Sequence, residues 1–493
     1  MTAAPAPEYR SWRPAAPPRT QRPSRPADEP SRLLVIGLDG VPPDLLFRRL
    51  RGVMPNMDRL LGRASRGALR TTDPPISVPA WPVMFTGVDP GTLGLYGFRH
   101  RRRGSYTDTY VPGSEAVPVP TIWELASQSG RRVAVVGMPL GYPPPSVNGV
   151  YVSDFLTPPG AENVTHPPEW RTELDLGGPY LFDVPFRSSE RNDLFGNLME
   201  MTRRRFDVAE KLYRQERWDV FAVHEIGTDR LHHAFWKYFD PEHPDFEPHH
   251  PLGHVLHDYY AMLDAAIGRL VELADAQTHV VVVSDHGSMA MHGLFCVNEW
   301  LRRRGYLAVR APPAPQTAVE NADVDWSATR VWAGGGYYAR IFFNVRGREP
   351  QGVIAPEELP EWKARLSAEL RELTAPDGGP LGVEILDPST TYHSVRGDAP
   401  DLIAYFGALR WRSAGTLGHP SLYLRENDIG PDDAVHSFDG VFVHADPSSP
   451  VERELPTSRI LDMAPTFLQM LGEPVPSFMQ GRPIARPQPL AAS

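Results

Sequence analysis

Short apolar runs that each stop at a polar residue or a glycine recur along the chain. The runs are RLLVIGLDG (32–40), RRVAVVGM (131–138), WDVFAVHEIG (218–227) and THVVVVSDHG (278–287). Near-continuous apolar runs of this length are typical of parallel strands that are buried on both faces. Helical patterns such as TIWELASQSG and YYAMLDAAIGRLVELADA lie between them, so strands and helices alternate. The pattern predicts an α/β fold, with a mostly parallel sheet, helices on both faces, and strand ends that meet at one edge.

The second half of the chain predicts a smaller, inserted lobe over about 300–410. There, YYARIFFNVRG alternates like a strand, and PEELPEWKARLSAELRELT is amphipathic and ends near the helix breaker APDGG. A last helix is predicted from about Leu461 to Leu471. Residues 1–31 are rich in Pro, Ala and Arg and lack the apolar core of a signal peptide, which predicts a disordered tail. The main domain is therefore expected to span 32–487.

Composition narrows the classes of partner. The chain has 493 residues, of which 41% are hydrophobic, and a formal net charge of −10. That charge gives no electrostatic reason to expect binding to a nucleic-acid polymer or to an anionic membrane. No stretch approaches the roughly 18 apolar residues that a membrane span needs. The single cysteine, Cys296, rules out an intrachain disulfide and favours a reducing compartment. We therefore expect a cytoplasmic protein without a membrane span.

Carboxylates and imidazoles occur where the predicted strands end. Asp39 and Asp285 each close an apolar run, and open α/β sheets collect ligands at such positions. In GTDRLHHAFW the spacing i, i+4 places Asp229 and His233 on one face of a helix. The set is completed by His286 and His436. Taken singly, each residue is equally well explained as a helix cap, a turn former or part of a solvated face, but together they suit zinc, manganese or iron.

Ser77 lies in the unusually apolar stretch ISVPAWPVMFTG (76–87). A serine hydroxyl is a poor nucleophile unless a base or a metal ion takes its proton. The carboxylates and imidazoles elsewhere in the chain are the residues that could supply either.

In the order Asp39, Ser77, Asp229, His233, Asp285, His286, His436, the chain resembles the alkaline phosphatase superfamily. It is most similar to the type I phosphodiesterase and nucleotide pyrophosphatase branch, and to bacterial and archaeal members described as phosphohydrolases or phosphomutases. The likeness covers nearly everything after residue 32 and includes the stretches LLVIGLDG, PPISVPAWPVMFTG, GTDRLHHAFWKYFDPEHP, VVVSDHG, NEWLRRRGYL, FFNVRGREPQGV, APDLIAYF and DMAPTFLQMLGEPVP. It implies an alkaline-phosphatase-like three-layer sandwich.

The resemblance also implies two divalent metal ions, zinc first and manganese as the alternative. One would be held by Asp39, Asp285, His286 and the oxygen of Ser77, and the other by Asp229, His233 and His436. The implied reaction is cleavage of a phosphodiester or nucleotide pyrophosphate bond through a phosphoserine intermediate on Ser77. A phosphomonoesterase or phosphomutase that uses the same serine and metals is the alternative. A binding protein that merely retains the fold is disfavoured, because every expected ligand position holds a competent side chain.

Two positions depart from relatives with the same metal chemistry. Ala80 stands where nucleotide pyrophosphatases usually carry an asparagine that binds a phosphate oxygen, which weakens the inference of nucleotide specificity. Trp81 stands where sulfatases carry an arginine, which argues against a sulfatase. An aromatic residue at this edge could also stack on a base or sugar. The expected substrate is a small phosphorylated molecule, with nucleotides and nucleotide-sugars among the candidates.

Two further charged segments have open interpretations. The basic run RHRRRG (99–104) is equally well explained as a solvated loop or as an electropositive lip that attracts phosphate. The histidine cluster at positions 243, 249, 250, 254 and 257 is better explained as a solvated loop and helix start than as a dedicated metal site.

Overall fold

The computed structural model describes residues 31–176 and 178–484. Nearly all of the tail predicted over 1–31 lies outside the described residues, as does the end of the domain predicted over 32–487. Both boundaries therefore stay predictions.

The strands and helices of the described residues are named here in chain order. The strands are β1 (Arg32–Leu38), β2 (Ser65–Arg70), β3 (His100–Arg101), β4 (Thr109–Tyr110), β5 (Val133–Val136), β6 (Gly149–Val152), β7 (Thr165–His166), β8 (Val220–Glu225), β9 (Thr278–Val283), β10 (Gly287–Ala290), β11 (Gly293–Cys296), β12 (Val331–Gly334), β13 (Ala339–Phe343), β14 (Val383–Leu386), β15 (Leu402–Phe406), β16 (Trp411–Ala414), β17 (Tyr423–Leu424), β18 (Ala434–Ser437), β19 (Asp439–Ala445), β20 (Arg453–Glu454) and β21 (Ser458–Arg459). The α-helices are α1 (Pro55–Leu61), α2 (Ser77–Thr86), α3 (Pro90–Leu93), α4 (Ile122–Gln128), α5 (Arg191–Gln215), α6 (Gly227–Phe235), α7 (Val255–Leu273), α8 (Val297–Arg303), α9 (Leu359–Arg371), α10 (Pro388–Thr391) and α11 (Met463–Leu471).

The main sheet has the strand order β20-β2-β19-β9-β1-β8-β5-β6-β7, with β21 also paired to β2. The strands β9, β1, β8, β5 and β6 are parallel, whereas β19 and β7 pair antiparallel with their neighbours. The four runs predicted as parallel strands are β1, β5, β8 and β9. The prediction of an α/β fold with a mostly parallel sheet is confirmed.

Alternating side chains of the central strand β1 point into two separate cores. Leu34 and Ile36 pack on the face covered by α5 and α7, whereas Leu33 and Val35 pack on the face covered by α2 and α11. Burying each of these side chains contributes about 1.5–3 kcal/mol. Since both faces of the sheet are covered, β1 is apolar at successive positions, and the result is a three-layer sandwich.

A second, seven-stranded sheet has the order β12-β13-β15-β16-β11-β17, with β14 paired to β15. Four of its strands, β12 to β15, lie within 300–410, whereas β11, β16 and β17 lie outside this range, so the inserted lobe over about 300–410 stays a prediction. Its own core includes residues of α8 and α9, such as Leu301, Leu366 and Leu370. The helix predicted in PEELPEWKARLSAELRELT is α9, preceded by a 3₁₀ turn at Pro356–Glu358.

The carboxyl ends of β1, β8 and β9 lie side by side in the main sheet. Each is followed directly by one of the polar segments singled out above, so the fold brings these segments together. Among the described helices, none is long and apolar enough to cross a membrane. The cytoplasmic location remains a prediction.

Candidate metal centre

The first group of side chains surrounds the hydroxyl of Ser77. Asp39 follows β1, and Asp285 and His286 follow β9. The Ser77 hydroxyl lies 3.2 Å from Asp39 Oδ1 and 3.3 Å from His286 Nε2, which in turn is 3.3 Å from Asp285 Oδ2. All four side chains are buried. The structure therefore brings together the residues that the resemblance assigns to the first metal.

Ser77 is the first residue of α2, where the chain turns from the extended Ile76 into a helix. The first N–H groups of a helix have no partner within it, and the helix dipole is positive at this end. Ser77 therefore presents its hydroxyl at a position suited to an anion such as phosphate.

The Asp39 carboxylate is held by contacts that the sequence did not reveal. Its Oδ2 accepts from Trp81 Nε1 at 2.8 Å and lies 2.9 Å from His224 Nε2 at the end of β8. The backbone carbonyl of Asp39 accepts from the Thr228 hydroxyl at 2.6 Å. Trp81 packs within the protein and does not face a base or sugar, because its indole is fully buried and donates to Asp39. His224, which follows four apolar residues in β8, was the signal for one of these contacts.

The second group lies on α6 and β18. His233 Nε2 is 3.2 Å from Asp229 Oδ1 and 3.2 Å from His436 Nε2, and His436 Nε2 is 3.7 Å from Asp229 Oδ1. Asp229 and His233 share a face of α6, as their spacing predicts. His436 arrives from a distant part of the sequence, because β18 pairs with β10 in a register that aligns Ser288 with His436.

The two groups are in contact. The rings of His286 and His436 stack with centroids 3.8 Å apart, and ligand atoms of Asp229, His286 and His436 lie within 4.8 Å of one another. All seven residues of the predicted site thus converge on one edge of the sheet. Their roles as metal ligands stay predictions.

The donor atoms of both groups fit divalent cations. Asp285 Oδ2 lies 3.3 Å from His286 Nε2 and Asp229 Oδ1 lies 3.2 Å from His233 Nε2, but within the described residues neither buried oxygen has a hydrogen bond of good geometry. A buried polar atom left in this way costs about 1–3 kcal/mol, and more when it is charged. Mixed carboxylate and imidazole donors suit zinc or manganese, so bound cations would compensate these oxygens.

Charge is distributed unevenly between the two groups. Burial raises the pKa of Asp285 well above its ordinary value, and the neighbouring Asp39 carboxylate raises it further. Burial opposes ionisation of Asp229 too, but His233, Arg230 and His436 outweigh it and hold the pKa of Asp229 well below its ordinary value. The first group therefore has the greater need of an added positive charge.

Asp432 is a functional candidate that sequence reasoning missed. Its Oδ1 lies 2.7 Å from His233 Nδ1, opposite the Nε2 that faces Asp229, and its Oδ2 accepts from Arg187 at 3.0 Å and from Arg412. Burial would raise the pKa of Asp432, but His233, Arg412 and Arg187 together lower it. A carboxylate on the far nitrogen of a histidine fixes the ring and its tautomer.

We expect Asp432→Asn to weaken metal binding by about 10–100-fold, because a neutral amide replaces the carboxylate that orients His233. Competition with a chelator, followed by metal analysis, measures the effect. Asp433→Asn is the matched control, since Asp433 is also buried but pairs with Arg191 and Lys237. Equal metal affinity in Asp432→Asn and wild type would show that Asp432 does not position His233.

The second sheet also reaches the site. The Tyr337 hydroxyl, from the turn between β12 and β13, lies 3.1 Å from His233 Nε2, and its ring stacks on His436 at 3.8 Å. Arg412 on β16 covers the Tyr337 ring with its guanidinium carbon 4.3 Å from the ring centroid. No local pattern around Tyr337 marks it, because the contact depends on how the two sheets pack.

The histidine cluster does not form a competing site. Within the described part of the chain, none of its five members belongs to a group of three metal-ligand atoms. His250 and His254 instead make local contacts with Leu252 and Pro251. This agrees with the preferred interpretation as a loop and helix start.

The described residues thus form a mixed α/β fold of the alkaline-phosphatase-like class. Two crystal structures of phosphonoacetate hydrolase from Sinorhizobium meliloti 1021 share this fold. The complex with phosphonoformate has a TM-score of 0.57 and 18% identity, and the complex with phosphonoacetate has a TM-score of 0.57 and 17% identity. Each alignment covers 90% of this chain and 96% of the hydrolase. A comparison with curated proteins gives no match.

The family model named type I phosphodiesterase / nucleotide pyrophosphatase matches residues 33–432. The chain belongs to this family, and it is a metal-dependent hydrolase of the phosphodiesterase and pyrophosphatase type. The family and the fold class inferred from the sequence motifs are confirmed.

Proposed function

We propose that this protein is a two-metal phosphohydrolase that cleaves a phosphodiester or nucleotide pyrophosphate bond through a phosphoserine intermediate on Ser77. The observation that carries the proposal is the position of the Ser77 hydroxyl. It lies at the start of α2, within 3.3 Å of both Asp39 and His286. A single hydrogen bond would be enough to satisfy a buried serine hydroxyl. The presence of both a carboxylate and an imidazole beside it therefore supports a chemical role for Ser77.

Each residue then has a definite task. Asp39, Asp285, His286 and Ser77 would hold one cation, and Asp229, His233 and His436 the other. Bound zinc or manganese would supply positive charge that favours the ionised serine and offsets charge on the leaving oxygen. Trp81 and His224 hold Asp39, and Asp432 holds His233, so both groups are positioned before substrate arrives.

The reaction proceeds in two steps. Ser77 Oγ attacks phosphorus, so that a serine–phosphorus bond forms, the bond to the leaving oxygen breaks, and that oxygen departs with the electron pair. Water then cleaves the phosphoserine, which returns the serine and releases the phosphorylated product. The N–H groups at the start of α2 face the negative charge in both steps.

A substrate panel tests the bond type. The purified protein, supplied with zinc or manganese, is assayed on bis(p-nitrophenyl) phosphate, a dinucleoside diphosphate, p-nitrophenyl phosphate and phosphonoacetate. We expect kcat/KM for a diester or pyrophosphate to exceed that for the monoester by roughly tenfold or more, a difference of about 1.4 kcal/mol in barrier. Preferred cleavage of the monoester or of phosphonoacetate would contradict the proposed bond type.

A further inference from the structure

A cavity of about 320 Å³ lies beside the metal centre, between the segment that carries β3 and β4 and the second sheet. Its wall includes Arg412 and the glycine turn Gly334–Gly336, which directly precedes Tyr337. Arg412 pairs with Asp432 and covers the ring of Tyr337, which stacks on His436, so Arg412 and Tyr337 connect the cavity wall to the second group of ligands. The volume is near the lower end of the range for small-molecule sites.

Arg340 on β13 lines this cavity without a compensating acid. Among the described residues, no carboxylate forms an ion pair with its guanidinium, and its recorded hydrogen bond goes to the carbonyl of Arg99. Burial lowers the pKa of Arg340; Tyr338 partly opposes this effect, and Arg99 adds a smaller lowering. The guanidinium is partly buried and has no acid beside it, so an anion that enters the cavity would meet an unneutralised positive charge.

Other arginines of the cavity wall are already neutralised. Arg101 pairs with Glu349 at 2.6 Å and with Asp398 at 2.6 Å, and Arg412 pairs with Asp432. The basic run 99–104 thus divides between the two interpretations left open by the sequence. Arg101 is a structural ion-pair residue, whereas the exposed Arg99 joins Arg340 at the cavity.

Two acids also line the cavity but leave Arg340 uncompensated. Asp428 accepts from the Thr416 hydroxyl at 2.8 Å, and Glu320 is exposed. Within the part of the chain that the structure describes, neither acid forms an ion pair with Arg340, and neither is among the causes of its pKa shift. The glycine turn leaves this part of the wall without side chains. A Cβ at Gly334 would lie only 3.0 Å from Arg340 Nη2 and would crowd the guanidinium.

We propose that this cavity binds an anionic group, a phosphate or a carboxylate, through Arg340 and Arg99. The group is either the distal part of the substrate or a separate small anion. The first source rests on the proposed function, since it requires that the same molecule be cleaved at Ser77. A guanidinium recognises either oxyanion through paired N–H donors.

The test compares two diesters that differ by one phosphate, thymidine 5′-(p-nitrophenyl phosphate) and its 3′-phosphate derivative. If the distal group binds the cavity, Arg340→Gln raises KM for the 3′-phosphate derivative by about 10–100-fold, which corresponds to one charge-assisted contact. KM for the diester without the 3′-phosphate, and kcat for both diesters, stay near the wild-type values. Arg340→Lys restores part of the lost affinity for the 3′-phosphate derivative. Arg103→Gln, which lies in the same basic run but outside the cavity, leaves KM for both diesters unchanged.

Sulfate tests the second source by isothermal titration calorimetry. A separate anion is supported if wild type has one more sulfate-binding site than Arg340→Gln, and if KM for both diesters is the same in the variant as in wild type. The proposal is overturned if Arg340→Gln changes neither sulfate binding nor the ratio of the two KM values, or changes both KM values equally. If Arg340→Gln does not fold, Arg99→Gln undergoes the same measurements. Failure of wild type to cleave either diester would count against the proposed function alone, because sulfate binding is still measurable.

Discussion

Replacing Ser77 with alanine is expected to lower kcat by at least about 10³-fold on the preferred substrate of the panel. Loss of a nucleophile removes the covalent route and leaves only the contribution of binding and electrostatics. The remaining groups are largely undisturbed, since the substitution deletes one oxygen and leaves the start of α2 intact. Turnover and metal content are measured on the same preparation.

The control for this variant is Ser153→Ala. Ser153 is another fully buried serine, and its hydroxyl has no hydrogen-bond partner among the described residues. We expect wild-type turnover in this control. Near-normal turnover in Ser77→Ala would instead mean that water attacks phosphorus directly, and the phosphoserine would be abandoned. Retained metal with lost turnover separates a missing nucleophile from a collapsed site.

Asp285→Asn is expected to abolish activity and yet to stabilise the metal-free protein. Asp285 and Asp39 are both fully buried, and no described residue hydrogen-bonds to Asp285 Oδ2. Without a cation, the Asp285 carboxylate is buried beside that of Asp39 and is not compensated. Replacing it with a neutral amide should raise the free energy of unfolding of the metal-free protein by on the order of 3 kcal/mol. With a cation, the same change removes a ligand, so one equivalent of metal should be lost.

Chemical unfolding of chelator-treated wild type and Asp285→Asn measures the first effect, and metal analysis of the untreated proteins measures the second. The sign of the stability change is the informative result. A variant that is less stable than wild type without metal, or that keeps its full metal content, would show that Asp285 has a structural role and is not a ligand. A merely packed carboxylate would not produce opposite effects on metal content and on stability.

Several parts of the site could be predicted because the signal is local. Asp39 and Asp285 end apolar runs, and parallel strands deliver their carboxyl ends to a common edge. Asp229 and His233 lie one helical turn apart, so the sequence places them on one face before any packing is known. For Ser77, the neighbouring residues suggested an unusual turn, and the resemblance to a family supplied its role.

Other parts could not be predicted because the partners are distant and each is common. Asp432 touches His233 across 199 positions, and Tyr337 touches it across 104. Nothing near either residue marks it as different from an ordinary loop aspartate or tyrosine. The contact between Trp81 and Asp39 was missed for the same reason, since the indole N–H reaches Asp39 only when α2 packs against β1.

The sequence alone was enough to predict the alternation of strands and helices, the edge of the sheet that carries the candidate site residues, and the family to which the chain belongs. These follow from hydrophobic periodicity and short motifs, which act over a few residues. The tertiary structure was needed to identify the residues that orient the predicted ligands. It also showed that the second sheet contributes Tyr337 and Arg412, and that Arg340 lines a cavity without an acid beside it. Such contacts depend on the packing of two sheets against each other, and no local pattern encodes the relative position of elements far apart in the chain.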